Sequence, residues 1–260
     1  MTWTVQPSLA YYSVVGTATN VVIPSTIAGY PVVAIGTQAF YQNQEIVSIS
    51  IPDGVGSIGD SAFDGCSALQ GVELPGSVRV IGEKAFYWCS NATSLTLSAG
   101  TAIIGKDAFH GWMALTNLVI PEGVTTLAEG AFAETGLTDV TLPVSLTTIE
   151  DRAFDACNGL TNLTLSTNVS SIGANAFYDC EDLVLRIYQD SYAHVWCVEN
   201  DWAYEVLFPY TYTIENGEVT ITGYTGTDTA IEIPAEIEGY PVTALGDGAF
   251  ARKTALTSIV

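Results

Sequence analysis

The chain has 260 residues, with 28 acidic and 7 basic side chains and a formal net charge of −21. That balance argues against nucleic acid and anionic membrane surfaces as partners, because both are held through Lys and Arg. No apolar run is long enough to span a bilayer, so membrane insertion is not expected.

After an amino-terminal stretch read as a β cap, an Ala-Phe pair recurs at a near-constant step. The phenylalanines are Phe40, Phe63, Phe86, Phe109, Phe132, Phe154 and Phe177, spaced 23, 23, 23, 23, 22 and 23 residues apart. A fixed period in this range marks a solenoid whose turns stack only on their neighbours. One turn, residues 51–73, reads IPDGVGSIGDSAFDGCSALQGVE. Its apolar positions Ile51, Val55, Ile58, Ala62, Phe63, Cys66, Leu69 and Val72 recur in register, so stacking places like on like. A lone turn buries too little to offset its ordering entropy, which accounts for the tandem array.

Short alternating stretches such as Leu118-Val119-Ile120 and Leu163-Thr164-Leu165 read as strands that pair into one parallel sheet. The segment before each Ala-Phe, such as Gly59-Asp60-Ser61, suits a short helical turn with Asp60 or Ser61 near its start. The fold class is therefore a repeat solenoid, mainly β with short helical turns, with a parallel sheet on one face and short strands, turns and helical turns on the other. In the turn at 120–141, Phe132 and Leu137 lie five residues apart where Phe63 and Leu69 lie six apart. The missing residue falls in a loop, where length changes are absorbed.

The IP, V, IG, AF, C and paired Leu/Ile positions make the pattern resemble the BspA-like leucine-rich repeat family of bacterial surface proteins. The Cys position departs from it at Asn43, Trp112 and Thr135. The resemblance implies a leucine-rich-repeat solenoid over 1–187 and an extracellular or cell-surface location. It also implies binding to host extracellular proteins or neighbouring cells. No basic and apolar leader pattern stands at Met1, so that location rests on the resemblance alone.

Residues 188–209 leave the repeat. Asp190 or Ser191 can cap a helix running to about Asn200, with Ala193, Trp196 and Cys197 on one face. This segment is read as a helical cap closing the solenoid. Residues 210–260 then begin a second module. Ile27-Ala28-Gly29-Tyr30-Pro31-Val32 is matched by Ile237-Glu238-Gly239-Tyr240-Pro241-Val242, and Phe40 by Phe250, at an offset of 210. That restart is expected to belong to a longer protein of several modules.

Four of the five cysteines, Cys66, Cys89, Cys157 and Cys180, share one repeat position. Stacked side chains point in parallel, a poor geometry for bridging, so buried thiols are expected. No CxxC, HExxH or GxSxG motif and no phosphate-binding glycine loop occurs. The chain is read as non-enzymatic, with no catalytic residue, cofactor or metal, and as a monomer.

Two surfaces compete as binding sites. The first is the exposed sheet face, with Glu73, Asn117, Asp139 and Asn162 as candidates among otherwise small polar residues. The second is the outer turn beside the phenylalanines, where Tyr87, Trp88, His110 and Trp112 are expected to cluster. Aromatic clusters with polar tips suit sugars or apolar partner residues. The expected partner is a host extracellular protein or glycan, and the alternative is a structural spacer that displays another domain.

Overall fold

The computed structural model describes residues 2–3, 14–15, 19–226 and 229–260, the first four by backbone alone. It divides into two compact units, Met1–Glu205 and Val206–Val260. The expected amino-terminal β cap lies largely outside the described residues. Of it, Thr2–Trp3 pairs antiparallel with Val14–Val15.

In the first unit each turn contributes a short strand to each of two rows. One row holds three-residue strands: Asn20–Val22 beside Ser48–Ser50, Gly71–Glu73 beside Ser94–Thr96, and Asn117–Val119 beside Asp139–Thr141, all parallel. Asn162–Thr164 pairs in the same sense with Val184–Tyr188. The second row holds two-residue strands, paired in register from Ala34–Ile35 through Ser57–Ile58 and Val80–Ile81 to Ile103–Ile104. It resumes from Thr126–Leu127 through Thr148–Ile149 to Ser171–Ile172. The expected sheet corresponds to the first row, and the short strands expected on the other face form the second. The second row's inward members Ile35, Ile58, Ile81, Ile104, Leu127, Ile149 and Ile172 are all buried.

The expected helical turn before each phenylalanine is instead a run of β-turns. In the second turn, Ala62, Asp64 and Cys66 donate their N–H groups within the turn to Gly59, Ser61 and Phe63. The intervening Ser61, Phe63 and Gly65 donate to Glu83, Ala85 and Tyr87 of the next turn. A helix would keep all these donors to itself. Sharing alternate donors with the neighbour needs left-handed backbone at Ser61 (φ 51) and Gly65 (φ 73). Asp60 caps its neighbour and not itself, since Oδ1 accepts from Glu83 N at 2.9 Å. The turns stack so closely that a Cβ on Gly59 would lie 2.6 Å from Thr37 N.

The phenylalanines form one column, with ring centroids 4.8 Å apart at Phe40–Phe63 and 6.0 Å apart at Phe154–Phe177. The helix Tyr192–Glu199 covers its carboxy end, with Trp196 edge-on to Phe177 at 6.1 Å. Ser191 caps this helix by accepting from His194 N, and Ala193, Trp196 and Cys197 are buried beneath it. All five cysteines are free and buried. Among the described residues no helix is long and apolar enough to cross a membrane.

The second unit opens with a hairpin, Tyr210–Glu215 against Glu218–Tyr224, turned by Asn216 and Gly217, both at positive φ. The later strands repeat pairings of the first unit. Ala230 pairs with Ser258 as Asn20 pairs with Ser48, and Ile237 with Tyr240 as Ile27 with Tyr30. Val219, Ile221, Tyr224, Ile231 and Ile237 form its core.

Candidate ligand-binding surfaces

The residues that follow each phenylalanine decide what this face of the turn carries. Three residues past Phe63, the Cys66 thiol points inward and donates to the carbonyl of Phe40 in the preceding turn (3.2 Å). Cys89, Cys157 and Cys180 donate to Phe63, Phe132 and Phe154 in the same way. Burial pushes the Cys66 thiol up to about 12 and holds Cys89 well above the ordinary value, so both are protonated at neutral pH.

Trp112 occupies this same inward position, and here the expectation fails. It is fully buried, and its indole Nε1 donates to the Phe86 carbonyl at 2.6 Å. Its ring stands edge-on to Phe86 and Phe109. The inward direction of the position outweighs the amphipathic character of tryptophan, so Trp112 belongs to the core and not to a surface cluster.

Tyr87, Trp88 and His110 do come together, each part-buried at the surface. Tyr87 lies 4.8 Å from His110 and 6.2 Å from Trp88, ring to ring, and Trp88 lies 6.1 Å from His110. Trp88 takes a left-handed backbone (φ 53) and lies over Gly111, where a Cβ would meet the indole at 2.9 Å. Three further residues complete the cluster and were missed in sequence. Lys84 Nζ sits 5.6 Å above the Tyr87 ring. Asp107 Oδ1 lies 3.8 Å from His110 Nδ1, and Glu134 Oε1 lies 3.4 Å from His110 Nε2. Lys84 with Tyr87, and Asp107 with His110, are three residues apart on a tight turn, and that spacing is the signal that could have found them.

Beside this cluster the one-residue deletion has a visible effect. Other turns make an additional β-turn after the Cys position, as at Met113-Ala114 and Asn158-Gly159; the short turn passes from Thr135 to Leu137 through Gly136 alone. An open notch of about 540 Å³ results, between Met113 on one side and Asn158 and Gly159 on the other. Glu134 and Asp179 also line it, and Met113 is half exposed. Burial raises the nearby Asp155 carboxyl; Arg152 pulls it back, and the charges of Glu134 and Asp179 push it further up.

On the three-residue strand row, Glu73, Asn117, Asp139 and Asn162 are all exposed. Asn117 and Asp139 are paired neighbours, whereas Glu73 lies apart from them beyond the strand Ser94–Thr96. Thr138 Oγ1 donates to Asp139 Oδ2 at 2.9 Å, and Asn117 and Asn162 donate to the threonines that precede them. These groups are satisfied locally, and the row has few large side chains to anchor a partner. Among the described residues no three His, Cys, Asp or Glu converge to hold a metal ion.

Comparison with known proteins places this geometry. The model of the BspA-type leucine-rich repeat region matches residues 8–132 and 102–190, in six copies. A solved leucine-rich cell surface protein from Faecalibacterium prausnitzii A2-165 is 29% identical, with a TM-score of 0.63, over 99% of this chain and 73% of its own. The Treponema pallidum (T. pallidum) leucine-rich repeat protein is 30% identical, with a TM-score of 0.65, over 78% of this chain and 94% of its own. A leucine-rich repeat protein from Eubacterium ventriosum is 29% identical, with a TM-score of 0.57, over 62% of this chain and 43% of its own. No curated protein sequence matches. With more than half of its length matched by the family model and two rows of in-register strands to explain the match, the chain belongs to the BspA-type leucine-rich repeat family.

Proposed function

We propose that the chain is a non-catalytic, surface-exposed binding module that takes an extracellular protein or glycan of a host or neighbouring cell through its repeat surface. The family and the cell-surface description of its Faecalibacterium prausnitzii relative support the location. The Tyr87–Trp88–His110 cluster carries the binding role. It offers aromatic area whose rings are already packed on one another, so little side-chain entropy is lost on contact. The candidate set is Tyr87, Trp88 and His110 on the turn face, with Glu73, Asn117, Asp139 and Asn162 on the strand face as a second, weaker surface. Trp112 is not part of it.

A screen of the intact chain against extracellular-matrix proteins and glycans tests this reading, with a Tyr87→Ala/Trp88→Ala double variant alongside. Saturable binding that drops at least about tenfold in the variant, the loss of about 1.4 kcal/mol, is expected. Binding unchanged in the variant would clear this patch. The 210-residue restart favours a second reading, a spacer built of serial modules. No saturable partner in the screen, together with an extended chain in small-angle scattering, would favour the spacer.

A further inference from the structure

We infer that the notch at the short turn is a receptor for a basic side chain, an arginine of a partner protein. This rests on the binding-module reading and names the chemistry of its contact. Removing one residue takes away a β-turn between two retained ones, so the space lies where a piece of chain is absent. Its walls suit a long cationic side chain. The half-exposed Met113 offers a thioether to the aliphatic stem. Glu134 and Asp179 offer carboxylates to the head.

The charge around the notch points the same way. Glu134 and Asp179 flank Asp155 on the two adjacent turns and crowd its carboxyl, while Arg152 reaches Asp155 only at 4.0 Å and His110 offsets the crowding in part. A guanidinium entering here relieves that crowding. The carboxylates do not converge as metal ligands would, which disfavours a compact divalent ion. A planar fork with five donors can instead bridge separated carboxylates, which a lysine ammonium does less well. The chain as a whole, at −21, draws basic partners toward it before contact. Glu134 also lies against His110, so a partner arginine in the notch places its neighbouring residues beside Tyr87 and Trp88.

The probe is a fluorescent arginine-rich decapeptide, with a citrulline counterpart of the same shape and no charge, titrated into the intact chain at fixed low salt. The arginine peptide is expected to bind and the citrulline peptide to bind at least about tenfold more weakly. Glu134→Gln/Asp179→Asn should weaken arginine-peptide binding about tenfold or more. So should insertion of one serine after Thr135, which restores the 23-residue step without altering charge. Glu45→Gln/Asp53→Asn, which removes the same charge from exposed positions elsewhere, should change it less than about twofold. Equal weakening by both double variants would overturn the notch and leave only a general acidic attraction. Binding retained after the serine insertion would overturn it as well. If the screen of matrix proteins and glycans finds a ligand that the notch variants leave untouched, this inference falls and the binding-module reading stands. If the screen is empty while the peptide binds as stated, the notch stands as the binding site and the matrix-protein or glycan partner falls.

Discussion

The turn at 51–73 and the turn at 97–119 meet the same demand with side chains of very different size. In the first, the Cys66 thiol donates to the Phe40 carbonyl; in the second, the Trp112 indole donates to that of Phe86. The spacing of the column does not follow this difference: Phe86 and Phe109 stand 5.5 Å apart with the indole edge-on to both, and Phe154 and Phe177 stand 6.0 Å apart where the thiol of Cys180 holds the position. The repeat therefore asks for a donor at this position and tolerates a wide range of volume. Asn43 in the first turn fits that view, because no earlier phenylalanine carbonyl exists for it. Its Oδ1 accepts from Glu45 N and Ile46 N of its own turn.

Removing the larger of the two side chains is the most severe way to break the comparison. Trp112→Ala empties a fully buried site and strips a donor from the Phe86 carbonyl. A loss of about 3–5 kcal/mol is expected in urea unfolding. Trp112→Phe keeps a six-membered ring but loses the N–H and the rest of the fused ring, so about 1–3 kcal/mol should go. Equal losses in both variants would mean that the hydrogen bond, and not the packing, holds this turn.

Much of this was legible before the coordinates. A period of 23 announces the stack, and the offset of 210 anticipates the pairing of Ala230 with Ser258 as an echo of Asn20 with Ser48. What escaped the sequence was direction. Trp112 sits at the cysteine position, and that register fact outranks its identity, yet residue type suggested an exposed aromatic. The β-turns around Ser61 escaped for another reason. Their hydrogen bonds run between turns 22 residues apart, and local propensity says nothing of a donor that long stacking has claimed. The notch was visible only as a missing residue; the retained loops at Met113 and Asn158 make it a concavity.

On the small side of the comparison, Cys66→Ala should cost about 1 kcal/mol. It removes one thiol donor and one atom of packing while the neighbouring rings stay at close spacing. A cost as large as that of Trp112→Ala would contradict the view that volume at this position is loosely specified and that the indole stabilises chiefly by filling space.

The last difference between the two turns is a proton. Cys66 can lose one and Trp112 cannot. Burial lifts the Cys66 thiol from 9.0 to about 12, so the unfolded chain releases this proton first as pH rises. The stability that comes from burying the neutral thiol is whole below pH 9 and is lost progressively as pH climbs toward 12. At pH 10 the loss from Cys66 alone should be about 1 kcal/mol. Urea midpoints measured from pH 7 to 10.5 should fall less steeply in Cys66→Ala than in the parent chain, while Trp112→Phe, offset by its own constant loss, keeps the parent slope. Matching slopes in the parent and in Cys66→Ala would assign the alkaline loss to groups outside the cysteine ladder.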